Sequence, residues 1–250
     1  MLATIKYKNR NHKIDLTKPL DISIPLFSGE GNVTAWYVNA PKIEPVVEKG
    51  FIGKVSEGAS INFNNIAFNP HGHGTHTECV GHITHEFHSI NTSLQRFFFF
   101  AEVISVAPES PKDDFYISKN QLQLLLKNKK PEALVIRTLP NGKDKLTKQY
   151  SNTNWPYLQE EAAAFLQQIG VKHLLIDLPS VDKEKDEGAL LAHRAFWNTQ
   201  GTTRYDATIT EMIFVPNTVK DGSYFLNLQI APFVNDASPS KPVLYQILDK

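Results

Sequence analysis

The feature that most restricts how this chain folds is a strand–helix–strand run in its second half. ALVIRTL at 133–139 reads as a strand, and VKHLLIDL at 171–178 reads as a strand buried on both faces. Between them, PYLQEEAAAFLQQIG has Pro156 near its start, acidic residues early and Gly170 as a natural stop, which predicts a helix. Two successive strands joined by a helical crossover pair in parallel, because a tight hairpin cannot make that connection. The expected fold is therefore α/β, a mixed sheet with flanking helices.

Around this unit, Ser118 is placed to cap a helix over KNQLQLLLKNK, with Pro131 just beyond its end. RFFFFAEVISVA (96–107) reads as a buried strand. A third helix is expected around Glu187–Trp197, and TITEMIFV and YFLNLQIAPF read as further strands. The N-terminal third is broken into short apolar runs by Pro, Gly and Asn, and DISIPLF, TAWYV and INFNNIAF read there as strands between turns. No repeat or linker divides the chain, so residues 1–250 are expected to form one domain. With 26 basic and 26 acidic residues, the chain carries no electrostatic footprint for nucleic acid or an anionic membrane. No stretch approaches the roughly 20 apolar residues of a membrane span, and MLATIKYKNRNHKIDL lacks the apolar centre of a signal peptide. A single cysteine, Cys79, excludes an intrachain disulfide, and a cytoplasmic location is the expectation.

Chemistry concentrates in one place. Six of the nine histidines lie between positions 71 and 88. In NPHGHGTHTECVGHITH, His76 and Glu78 are two apart, so in an extended strand they point to the same side and can meet one metal ion. Gly72 and Gly74 permit a turn that brings His71 or His73 round as another ligand. Nitrogen and oxygen donors without thiolate suit Zn²⁺, Mn²⁺ or Fe²⁺ at a reactive site better than a structural zinc knot. His85 and His88 read as surface residues. Cys79 reads equally as a small buried filler or a reactive thiol. Trp36, Tyr37, Phe63, Phe68 and Trp197 are expected mainly to pack the core. Arg204 and Asp206 read as a surface pair. Asp177 and Asp182 fit either support of the site or local capping.

These residues resemble those of the metal-dependent cyclase and kynurenine formamidase superfamily, whose signature has the form H-x-G-T-H-x-D-x-P-x-H. This chain reads H-G-H-G-T-H-T-E-C-V-G-H. Gly74-Thr75-His76 matches, Glu78 stands where the family has Asp, Val80 replaces the proline, and His82 matches the last histidine. Gly72 occupies the place of the first histidine, which His71 supplies if the loop holds one extra residue and His73 if it turns more tightly. The Asp-x-x-Ser-x-Asp block and its following helix are matched by Asp177, Ser180, Asp182 and His193, and TITEMIFVPN points to Glu211, with NTQGTTRYDA as an inserted loop. The likeness runs over roughly residues 15 to 245, including DISIPL, VIRT and DASPSKPV.

The resemblance implies a swivelling β/β/α-type domain and a homo-oligomer, a dimer or tetramer. It also implies a centre of one or two divalent ions, Zn or Mn. His71 (or His73) and His76 would hold one ion, His193 and Glu211 the other, with Glu78 between them and His82 as general acid/base. The implied substrate is a small molecule, an aryl formamide such as N-formylkynurenine in tryptophan catabolism. A cyclic amide such as isatin, or a lactone or imide, is the alternative within the same fold, and a metal-binding protein without turnover is the alternative from another class. Replacing Asp by Glu moves the carboxylate by about 1.5 Å, so this branch's loop must differ from the family's.

Overall fold

The structure, a computed structural model, describes residues 1–248. It opens with an antiparallel hairpin of β1 (Leu2–Tyr7) and β2 (Arg10–Asp15), followed by a short β3 (Leu20–Asp21). A projecting ribbon pairs β4 (Lys42–Pro45) with β5 (Asn64–Ala67). The main sheet comprises β6 (His76–Glu78), β7 (Phe98–Val106), β8 (Ala133–Thr138), β9 (His173–Ile176), β10 (Thr208–Glu211), β11 (Gly222–Ile230) and β12 (Ala237–Gln246). Its order is β11-β7-β8-β9-β10-β6-β12, with β3 added on β12, and β12 pairs back onto β11 to close a barrel-like ring. β7, β8, β9 and β10 run parallel, as the crossover required; β6, β11 and β12 join antiparallel.

Alternation along the strands sorts the core into two layers. Ala133, Val135 and Leu175 point inward with Phe99, Ala101, Val103 and Leu226. Leu134, Ile136, Leu174, Ile176 and Ile209 point outward, under α1 (Lys119–Leu126), α2 (Glu160–Gln168) and α3 (Leu191–Trp197). Leu122 and Leu126 of α1, one turn apart, are fully buried there, each contributing about 2 kcal/mol of apolar burial. Ser118 caps α1 as expected, in a reciprocal capping box with Gln121. No helix among the described residues is long and apolar enough to cross a membrane.

Several local expectations need correction. The second helix starts at Glu160, not near Pro156, because Tyr157–Leu158 pairs in parallel with Tyr116–Ile117 first. The third starts at Leu191, since Glu187 and Leu190 adopt positive φ. TAWYV forms no strand, as Trp36 and Tyr37 both take positive φ, and of DISIPLF only Asp21 lies in a strand, Ile22 adding a hydrogen bond to the Pro242 carbonyl and Ser23 a bridge to Ile213. Tyr37 and Phe63 are exposed rather than core. Arg204 and Asp206 influence each other through space, but each makes its direct contacts elsewhere. Arg204 tucks its guanidinium against the carbonyls of Phe196 and Val171, while Asp206 pairs with Lys172. Trp197 is fully buried, as expected.

Candidate metal centre

The site is built where β6, β10 and α3 meet on the outer face of the barrel. Along β6, His76 and Glu78 project to one side while Thr77 turns the other way to meet Thr210, their hydroxyls 2.8 Å apart. The register sets His76 opposite Glu211, so that pair is fixed by backbone hydrogen bonding rather than by side-chain preference. His193 arrives from α3. His76, Glu78, His193 and Glu211 are all almost wholly buried.

The preceding loop is shaped by its glycines. A Cβ on Gly72 would sit 2.7 Å from Val38 Cγ2, and Gly74 holds φ +142°, a conformation side chains disfavour. The turn sends the two candidate first histidines in opposite directions. His73 accepts the Asn69 N–H at Nδ1 (2.7 Å) and donates from Nε2 to the Asn39 carbonyl (2.7 Å), so both its ring nitrogens are engaged with backbone. His71 instead brings Nδ1 to 3.1 Å from Glu78 Oε2.

Each inward imidazole has its outer nitrogen tied, which fixes tautomer and ring plane. His76 donates from Nδ1 to the Gly74 carbonyl at 3.0 Å. His193 donates from Nδ1 to Asp182 at 2.5 Å. His71 donates from Nε2 to Asp236 at 2.9 Å. Their other nitrogens converge on carboxylates. His193 Nε2 lies 3.0 Å from Glu78 Oε1 and 3.8 Å from Glu211 Oε1, and His76 Nε2 lies 3.4 Å from Glu211 Oε2. Glu211 Oε1 also accepts the Val181 N–H at 2.9 Å. His82, whose side chain is 32% exposed, stacks on His71 and brings Nε2 to 3.8 Å from Glu78 Oε2.

Two atoms at the centre of this arrangement, His76 Nε2 and Glu78 Oε2, are buried with no hydrogen-bond partner among the described residues. Orphans of that kind are costly unless something outside the chain satisfies them. Three sets of side chains present ligand atoms close enough to share a cation: His71, His76 and Glu78; Glu78, His82 and His193; and His71, His82 and Asp236. Glu78 belongs to two of them, presenting Oε2 to His71 and Oε1 to His193. Glu211 borders the sets without belonging to one.

The electrostatics fit a cation. Burial works against protonating His71, yet Asp236 and Glu78 outweigh it and push its pKa up to about 10. His193 is likewise raised despite complete burial, by Asp182 and Glu78. Burial would raise Glu78, but His82, His193 and His71 hold it well below the carboxylate range. Protons thus occupy ground that a divalent ion would compete for.

Asp182 both supports the site and caps a helix: it also accepts the N–H groups of Ala192 and His193 at the start of α3. Asp177 lies elsewhere, buried and bound to Lys145 and Thr138. Cys79 is a buried filler whose thiol burial pushes upward in pKa. His85 is exposed, and His88 rests half-buried against Tyr205. Asp236 was not singled out from the sequence, although it lies within the DASPSKPV match. Its place comes from the sheet: Cys79 N–H donates to the Asp236 carbonyl beside the Ala237–Glu78 pair.

The family model described as "Putative cyclase" matches residues 14–183. No curated protein matches the chain. Among solved structures, a potential metal-dependent hydrolase with cyclase activity superposes with a TM-score of 0.66 at 18% identity, covering 91% of this chain and 97% of that one. An isatin hydrolase bound to the product analogue thioisatinate gives 0.66 at 13%, covering 92% of each. Isatin hydrolase A from Ralstonia solanacearum gives 0.67 at 14%, covering 91% of each. The mixed α/β fold is that of these structures, and with its family match spanning well over half its length, the chain belongs to the cyclase family.

Proposed function

We propose that this chain is a metal-dependent hydrolase that cleaves a carbon–nitrogen bond in an aryl formamide. The observation that carries the reading is the convergence of His71, His76 and His193 on Glu78, each with its outer nitrogen tied, around two buried atoms that make no hydrogen bond. His71, His76, Glu78, His193 and Glu211 would hold one or two divalent ions, Zn or Mn. When bound, such an ion lowers the pKa of water toward about 7 and polarises a carbonyl. Glu78 and Glu211 supply the negative charge that retains it. His82 is the general acid/base: it is the most exposed imidazole of the cluster, and its Nε2 takes up a proton and returns it to the leaving amine.

Hydrolysis of a cyclic amide is the second reading, favoured by the isatin hydrolases among the structures that share the fold. The test is turnover of aryl formamides, isatin-like cyclic amides and lactones by metal-loaded protein at pH 6 to 9. In the same assay His82→Ala is expected to retain its metal while activity falls roughly 10²–10⁴-fold. No wild-type turnover on any class would refute the hydrolase reading. Loss of metal in His82→Ala would make His82 a ligand, as its place beside Glu78 and His193 also allows.

A further inference from the structure

From the geometry we infer that Asp236 is a positioning residue shared by His71 and His82, coupling retention of the ion to orientation of the proton carrier. The inference rests on the functional reading above and extends it to a residue that reading leaves without a role.

One oxygen does both tasks. Asp236 Oδ2 accepts from His71 Nε2 at 2.9 Å and from His82 Nδ1 at 3.2 Å. The two rings stack with centroids 4.2 Å apart and planes 27° apart, so a single carboxylate holds them as a pair. With both outer N–H groups directed at Asp236, the remaining nitrogens, His71 Nδ1 and His82 Nε2, face Glu78 Oε2 at 3.1 and 3.8 Å. The carboxylate therefore selects, in both rings, the tautomer whose lone pair faces the centre. A carboxylate behind a ligand histidine orients it and raises its basicity, and a carboxylate behind a catalytic histidine fixes its tautomer. Here one residue stands in both places. Asp236 is half-buried and its backbone is pinned by Cys79 N–H, so its position follows from the β6–β12 pairing rather than from the histidines.

The experiment compares Asp236→Asn, Asp236→Ala and Asp236→Glu with wild type. Zn²⁺ affinity of the metal-free proteins is measured by chelator competition, the visible spectrum with Co²⁺ substituted, and kcat and KM at saturating metal. Asp236→Asn is expected to bind Zn²⁺ 10–100-fold more weakly and to shift the Co²⁺ bands. At saturating metal its kcat should fall at least about 10²-fold with KM changed less than about threefold, since an amide lets the imidazole take the wrong tautomer. Asp236→Glu should recover part of both losses. Affinity and kcat within twofold of wild type in both Asp236→Asn and Asp236→Ala would overturn the inference. Weaker binding with full kcat at saturating metal would also overturn it, leaving Asp236 a partner of His71 alone. Should the wild type bind the ion but turn over none of the amides, the hydrolase reading fails; an unchanged affinity and Co²⁺ spectrum in Asp236→Asn would then still refute the role of Asp236 at the metal.

Discussion

Replacing Asp182 should separate two functions that its carboxylate performs at once. Leu190, at the start of α3, adopts positive φ and offers no capping oxygen. Asp182 supplies the cap from a distance, accepting Ala192 N–H at 2.7 Å and His193 N–H at 3.2 Å, and it also holds His193 Nδ1 at 2.5 Å. Asp182→Ala loses the cap, worth about 1 kcal/mol, and leaves buried donors unpaired at a cost of about 1–3 kcal/mol. At about 2–4 °C per kcal/mol for a chain of this size, metal-free Asp182→Ala should melt roughly 5–15 °C below wild type. Asparagine caps helices about as well as aspartate. Asp182→Asn should therefore lose only the charge-assisted bond to the imidazole, about 1–2 kcal/mol, and melt roughly 2–8 °C lower. Both variants should bind metal about 10–100-fold more weakly, because His193 loses its orienting carboxylate. Thermal melts in chelator and chelator-competition titrations read the two effects independently. Equal destabilisation by Ala and Asn would refute the capping account. Unchanged metal affinity in Asp182→Asn would refute the placement of His193 at the centre.

Two further outcomes follow from the geometry. His71→Ala should abolish retention of metal through dialysis, whereas His73→Ala should keep at least half of the wild-type content measured by elemental analysis, since His73 spends both ring nitrogens on Asn69 and Asn39; the reverse pattern would invert the ligand assignment. In the metal-free protein, His71 is held at about 10 against the opposing effect of burial by Asp236 and Glu78. A raised folded pKa gives stability that is fully present below the unfolded value of about 6.5 and is lost as pH rises toward 10. Asp236 and Glu78 are held low and change nothing in that window. The melting temperature in chelator should thus fall between pH 6.5 and 10, and added metal should flatten the profile by replacing the proton. A flat profile without metal would count against this electrostatic account.

What was legible in the sequence is what short-range periodicity carries. His76 and Glu78 share a face because a strand repeats every two residues, and Ser118 caps α1 because its side chain lies beside the first free N–H groups. The parallel β8–β9 pair follows from the length of the crossover between them. Motif resemblance carried further, to His193 and Glu211, which local pattern alone could not link to His76. Beyond that, only the folded chain decides. That His71 and not His73 faces Glu78 depends on the close approach of Gly72 to Val38 and on the Asn39 carbonyl holding His73, and the late start of α2 depends on Tyr157–Leu158 finding Tyr116–Ile117. Asp236 shows the limit most clearly. It stands 165 residues from His71 and 154 from His82, and it meets them because β12 pairs alongside β6. A carboxylate's reach is a few ångströms, so its partners are set by which backbones run side by side, and strand pairing, not neighbouring sequence, puts them there.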